Sequence, residues 1–171
     1  MGAHQLIIMR HGKSDWSGEG QADFDRPLAR RGARAVPRMA AWLAENGLIP
    51  DRIIASPALR ARQTAAAVAG EIGFDVADIN WDERIYANSL SDLLGVVADG
   101  CGDAACVLII GHNPGLEALL QHLCATRPPL NEEGKMLTTA ALAVLDYGDC
   151  SIHPGAGGGR LLHLVRPADL K

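Results

Sequence analysis

The sequence predicts an α/β fold: a three-layer α/β/α sandwich around a mostly parallel central sheet. Three observations carry that expectation. Short apolar runs at Leu6–Met9, Ile53–Ala55 and Val107–Ile110 lack polar alternation, as strands buried on both faces do. Segments with helical spacing lie between them, so strand and helix alternate along the chain. Each run also ends abruptly in polar residues, at the strand ends where open α/β sheets keep their ligands.

Taken in order, the first strand covers Leu6–Met9 and stops at Arg10-His11-Gly12. A helix over about residues 31–46 follows, because Ala33, Val36, Met39, Ala40 and Leu43 recur at three- and four-residue steps. Asn46-Gly47 supplies its stop signal. Pro37 is awkward inside it, and either belongs to a first turn or bends the helix. Ile53–Ala55 is the second strand, with a helix over about residues 58–71 behind it. A third helix is expected near residues 90–99, then the strand Val107–Ile110 and a helix near 114–124. Thr139–Tyr147 and Arg160–Val165 read as two late strands separated by a glycine-rich loop, HPGAGGG. One domain spanning residues 1–171 is expected, with no internal repeat and no linker.

Composition narrows the function classes. Hydrophobic residues make up 48% and aromatic residues 4%, so the core must come from Ala, Leu, Ile and Val. The net charge of −4 gives no reason to expect a nucleic acid partner. Charge is uneven, however: residues 1–62 hold 10 basic and 6 acidic side chains, and the remainder 6 and 14. That bias suggests a local anion site, although Arg30, Arg31, Arg34 and Arg38 fit a solvated helix face better. Cys101, Cys106, Cys124 and Cys150 form no CxxC pair and suit free thiols in a reducing compartment. No run reaches the ~18 apolar residues of a membrane span, and no basic-then-apolar leader opens the chain. Met1-Gly2 resembles a myristoylation start, but Leu6 stands where Ser or Thr is needed. A cytoplasmic protein without membrane partners is expected.

The strand endings carry the chemistry. They read RHG at Arg10–Gly12, SPALRARQT at Ser56–Thr64 and GHNPGLEALL at Gly111–Leu120. If the three strands are parallel neighbours, Arg10, His11, Arg60 and His112 meet at one sheet edge. Arginine forks match phosphate oxygens. Asn113 is a suitable N-cap with Pro114 in the first helical position, and the free N–H groups of that helix would attract an anion. Such a set can hold a phosphoryl group without a metal, and no metalloprotease, Walker or EF-hand spacing occurs. Arginines beside an imidazole keep it neutral, so His11 is expected to be a nucleophile that forms a phosphohistidine, with His112 stabilising the transferring oxygens.

In this order and spacing, RHG, SPALRARQT and GHNPGLE resemble the histidine phosphatase superfamily, also called the phosphoglycerate mutase-like group. Within it the chain is similar to the short SixA-type phosphohistidine phosphatase branch. RPLARRG at Arg26–Gly32 and TTAALAVLDY, a late core strand, match as well. The resemblance implies His11 as the phosphorylated residue, Arg10 and Arg60 as phosphate-pocket arginines, and His112 as the second histidine. It implies that Arg26 can face the pocket, that Arg62 is a surface residue, and that no cofactor is required.

Two departures matter. SixA reads SHLP where this chain reads GHNP, and the stretch from Arg60 to His112 is too short for the helical cap of larger members, which carries their catalytic Glu. An open pocket is therefore expected. Among acids, Glu83 is the candidate proton donor, with Asp82 beside it and Asp15 more remote; a solvated pair of Glu83 with Arg84 is the competing role. An open pocket and a doubtful acid both favour a phosphohistidine on a signalling protein, since protonated imidazole leaves readily. The rivals are a small-molecule phosphomonoesterase using Glu83 and a non-catalytic phosphate-binding module.

Overall fold

The computed structural model describes residues 3–170, so the Met1-Gly2 dipeptide lies outside the described residues. Six strands run in sequence as β1 (His4–Arg10), β2 (Arg52–Ala55), β3 (Asn80–Trp81), β4 (Cys106–Gly111), β5 (Leu142–Gly148) and β6 (Arg160–Val165). They form one sheet in the order β3-β2-β4-β1-β5-β6. The pairings among β3, β2, β4 and β1 are parallel, while β5 pairs antiparallel with both β1 and β6. The sheet is therefore mostly parallel, and the three strands that end in motifs are neighbours.

The helices are α1 (Arg30–Glu45), α2 (Leu59–Ile72), α3 (Glu83–Ala87), α4 (Leu90–Gly100) and α5 (Gly115–Leu123). Strand alternation sorts two cores. Leu6 and Ile8 of β1, with Val107 and Ile109 of β4, pack with Leu93 and Val97 of α4 and Leu116 and Leu120 of α5. Ile7, Met9, Leu108 and Ile110 point the other way, onto Val36, Met39 and Leu43 of α1 and Ala65 and Val68 of α2. Three layers result. Leu6–Met9 of β1 and Val107–Ile110 of β4 are fully buried on both faces, which is why these runs carry no polar alternation.

Several boundaries differ from the sequence expectation. Pro37 lies inside α1 and the helix continues through it, because Val36, Met39, Ala40 and Leu43 are all buried around the lost hydrogen bond. The strand expected from Thr139 starts at Leu142: Ala140 has φ of 64°, a left-handed conformation that interrupts an extended run. The two-residue β3 and five-residue α3 have no counterpart in the sequence reading, being too short to show a period. Arg30, Arg31, Arg34 and Arg38 are exposed on α1, and Arg62 is exposed on α2, as expected.

Gly12 and Gly32 set how closely α1 approaches the end of β1. A Cβ on Gly32 would meet the Lys13 carbonyl and lie 2.7 Å from the Lys13 nitrogen; one on Gly12 would lie 2.9 Å from a Val36 methyl. Both neighbours of Gly32 are backbone and cannot yield, so glycine here is a packing requirement.

Candidate active site

The register Arg10↔Gly111 sets the ends of β1 and β4 side by side, so His11 and His112 leave the sheet together. Their ring centroids are 5.1 Å apart. Arg60, the second residue of α2, approaches from the end of β2. The structure thus brings Arg10, His11, Arg60 and His112 to one sheet edge, with His11, Arg60 and His112 buried.

The backbone of His11 is held on both sides. Its N–H donates to the Gly111 carbonyl at 3.0 Å, and its carbonyl accepts from Ala140 N–H at 2.9 Å. Gly12 N–H donates to Thr64 Oγ1 at 3.1 Å, tying the motif to α2. His11 Nδ1 lies 2.7 Å from the Gly12 carbonyl. A carbonyl only accepts, so Nδ1 carries the proton and Nε2 keeps its lone pair. Burial, more than the neighbouring His112, Arg60 and Arg10 charges, pushes the His11 pKa down to about 3, against a weaker opposing effect of the Gly12 bond. His112 falls to about 4, again mainly through burial and then through Arg60. Its Nε2 lies 2.7 Å from the hydroxyl of buried Ser56; that hydroxyl accepts from Ala58 N–H and gives its own proton to Nε2 in the tautomer that carries the ring hydrogen on Nδ1.

Three buried nitrogens of these residues have no protein partner: Arg10 Nε, Arg60 Nε and His112 Nδ1. Buried donors are normally paired, so such a group at one sheet edge marks a place for a ligand acceptor. Other nitrogens of the two arginines are held by the protein. Arg10 Nη1 donates to the Leu137 carbonyl at 3.1 Å. Arg60 gives Nη1 to the Asp23 carbonyl at 2.7 Å and Nη2 to the Asp23 carboxylate at 3.0 Å.

Asp23, absent from the sequence candidates, organises one side of the site. It sits on a 3-10 turn (Asp23–Asp25) and accepts from Arg26 at 2.7 Å, Arg60 at 3.0 Å and Tyr86 Oη at 3.0 Å. Arg26, foremost, holds its carboxyl well below the usual range, so it is ionised and cannot serve as a proton donor. Arg26 is buried, donates to Ser14 Oγ, and stacks its guanidinium 3.6 Å over the exposed Trp16 ring. Tyr86 of α3 packs edge-on against His112, ring centroids 5.7 Å apart. An acid three residues before Arg26 was the available signal for Asp23; Tyr86 gave none.

Two expectations need correction. Asn113 does not cap α5: Pro114 is the N-cap residue, outside the helix, and the Asn113 side chain donates instead to Glu117 at 2.9 Å and to the Leu137 carbonyl at 2.8 Å. Nor are the first amides of α5 open to an anion. Leu116 N–H donates to the His112 carbonyl at 3.0 Å, and Asn88, with its amide oriented to satisfy both groups, accepts from Gly115 N–H at 3.2 Å. The Asn88 amide fits there because Gly115 has no side chain.

The acids divide. Asp82 caps α3 and pairs with Arg84 at 2.8 Å, which also pairs with Asp99 at 2.8 Å. The Glu83–Arg84 pair considered above is therefore not formed; Glu83 lies exposed in the first turn of α3. Asp15 accepts from Ser17. Among the described residues no three His, Cys, Asp or Glu side chains gather as a metal site would need, and no helix is long and apolar enough to cross a membrane. The cysteines are free, and burial raises Cys101 and Cys106 to about 12.

The lowered histidines give a direct expectation. In the free protein the His11 and His112 rings should stay neutral from pH 8 to pH 5, so their ring carbon and nitrogen NMR shifts should be flat there. Only the unfolded chain takes up these protons near pH 6.5, so unfolding free energy should fall as pH drops from about 6.5 toward 4. A titration of either ring near pH 6.5 would show that the pocket is wet.

Comparison with known proteins agrees with this geometry. The model of the histidine phosphatase superfamily (branch 1) matches residues 6–86. Phosphohistidine phosphatase SixA of Escherichia coli K12 is 28% identical over 171 residues, covering 98% of this chain and 96% of its own. An uncharacterized protein of Mycobacterium tuberculosis is 33% identical over 164 residues, covering 92% of this chain and 100% of that protein. The structure of the protein histidine phosphatase SixA complexed with tungstate superposes with a TM-score of 0.73 at 27% identity, over 98% of this chain and 99% of its own. The fold and its relatives define a phosphatase, a hydrolase of phosphoryl groups. The chain belongs to the histidine phosphatase superfamily, on its SixA-type branch.

Proposed function

We propose that this phosphatase hydrolyses phosphohistidine on a signalling protein through a covalent phosphohistidine at His11. One observation carries the reading: an imidazole with Nδ1–H committed to the Gly12 carbonyl sits beside three buried, unpartnered donors on Arg10, Arg60 and His112. The tungstate held by the SixA relative is an oxyanion of phosphate shape, and it supports an oxyanion pocket here.

In the first step the His11 Nε2 lone pair attacks phosphorus. The P–N bond to the substrate imidazole breaks, its electron pair leaves with that ring, and the ring takes a proton from solvent, the equivalent of the one released in the second step. The Gly12 carbonyl stabilises the cationic His11 ring. In the second step water attacks, the P–Nε2 bond breaks, the pair returns to His11, and phosphate leaves with the released proton in solution. Arg10 Nε–H, Arg60 Nε–H and a His112 Nδ1–H neutralise the phosphoryl oxygens throughout.

The acids favour the nitrogen-linked substrate. An alkyl phosphate needs a proton donor, yet Asp23 is locked ionised by Arg26 and Asp82 is spent on Arg84. The small-molecule phosphomonoesterase remains the second reading because Glu83 shares α3 with Tyr86, which packs on His112. Glu83→Gln separates them. We expect the rate on an aryl phosphate to fall while the rate on phosphohistidine proteins stays within about threefold; an equal fall on both would make Glu83 a general acid and weaken the phosphoprotein reading. A panel of phosphohistidine proteins against common phosphate esters tests the substrate class itself.

A further inference from the structure

A cleft of about 580 Å³ opens beside the site, with Arg10 and Asn113 in its lining. It is far larger than a phosphoryl group, and its lining extends to Thr139, Pro167 and Ala168. Lys13, Arg31 and Lys135 line it with Arg10, against two acids, Glu117 and Glu133. Glu117 is already engaged by Asn113 Nδ2 at 2.9 Å and by Leu137 N–H at 3.0 Å, and Glu133 pairs with Lys135 at 3.4 Å. Positive charge is therefore in excess here, in a chain whose net charge is −4. Of the four α1 arginines exposed on the helix, Arg31 lines this cleft, which gives part of the N-terminal basic bias a location.

The outer wall is built rather than loose. The segment from Pro129 to Met136 has no regular structure, yet Arg166 donates to the carbonyls of Met136 at 3.0 Å, Pro129 at 3.0 Å and Lys135 at 3.2 Å. The Asn131 side chain accepts from Glu133 and Lys135 N–H groups at 3.0 and 2.8 Å. On the inner wall Asn113 Oδ1 is buried and has no donor. Cations along the walls and an orphaned acceptor beside the phosphate pocket suit an acidic polypeptide, which offers carboxylates and backbone N–H groups together.

We propose that this cleft seats acidic residues flanking the phosphohistidine of the substrate protein, so that specificity is read next to the reacting group rather than by it. The assignment rests on the phosphoprotein reading above. The test compares the wild-type chain with the triple variant Lys13→Glu, Arg31→Glu, Lys135→Glu and with a matched reversal outside the cleft, Arg30→Glu, Arg34→Glu, Arg62→Glu. Two readouts are used: turnover of phosphohistidine proteins, and inhibition of p-nitrophenyl phosphate hydrolysis by a nine-residue Asp/Glu-rich peptide at low salt, with a neutral Ser/Gly peptide as control.

We expect the cleft variant to keep p-nitrophenyl phosphate turnover within about twofold. It should lose inhibition by the acidic peptide and raise KM for the phosphoprotein at least tenfold, with kcat little changed; the matched reversal should do none of this. Equal peptide inhibition in wild type and cleft variant would overturn the proposal. So would a small carboxylated phosphate ester, tested as 2-phosphoglycolate, that inhibits through these residues when the peptide does not, since the cleft would then read a small molecule. Loss of peptide inhibition in a chain that turns over no phosphohistidine protein would sink the substrate reading and leave the acidic-segment site standing.

Discussion

His11→Ala should abolish turnover, with kcat reduced by at least about 10⁴-fold, because the change removes the nucleophile rather than a helper. The expectation rests on the Nδ1–H bond to Gly12, which leaves Nε2 as the ring's free lone pair. It also rests on burial, which keeps the ring unprotonated from pH 8 to pH 5. The wild-type chain, mixed with a phosphohistidine protein labelled in its phosphoryl group and quenched within milliseconds, should carry an acid-labile label. His11→Ala should carry none. Because the fold holds this position through the His11 backbone N–H and carbonyl, the variant should still fold, and circular dichroism separates lost chemistry from lost structure. Full activity in the variant, or robust turnover with no label on the wild type, would refute covalent catalysis at His11.

Arg60→Ala is expected to lower kcat/KM by about 10²–10³-fold, or about 3–4 kcal/mol of transition-state stabilisation. The guanidinium is set before substrate arrives. Asp23 takes Nη1 through its carbonyl and Nη2 through its carboxylate, which leaves the Nε–H edge buried and unpaired. A preformed donor of this kind costs no reorganisation when charge develops on phosphorus. Arg60→Lys should recover little, since a point charge cannot use Asp23 as a brace and keep a second donor for the phosphoryl oxygens. An effect below about tenfold for Arg60→Ala would place this side chain outside the pocket.

Much of this was legible in the sequence, for identifiable reasons. Leu6–Met9, Ile53–Ala55 and Val107–Ile110 lie in strands covered on both faces or nearly so, and such strands announce themselves as unbroken apolar runs. Their polar endings could be placed at one edge because parallel strands share a direction. Arg10, His11, Arg60 and His112 were placed together by that order, and the resemblance of their motifs assigned their roles. The missing parts sit where no period exists. Asp23 lies on a three-residue turn and Tyr86 on a five-residue helix, and both act through side chains that meet only after folding. Ser56 stood inside a recognised motif, yet its bond to His112 spans 56 positions. Asn113 was misplaced because cap statistics describe a helix start in isolation; here Glu117 and the Leu137 carbonyl compete for its amide and take it. Glu117 is four residues on, so that competition was visible in principle.

The central position of β1 has a consequence for how the chain opens. The strand has β4 on one flank and β5 on the other, and the Arg10 and His11 amides donate to the Ala141 and Gly111 carbonyls at 3.0 Å each. Both are paired inside the molecule, so deuterium should replace those two protons slowly. The residue that meets the substrate would then keep the slow clock of the sheet around it, while the Asp15–Asp25 segment beside it exchanges on its own, faster clock.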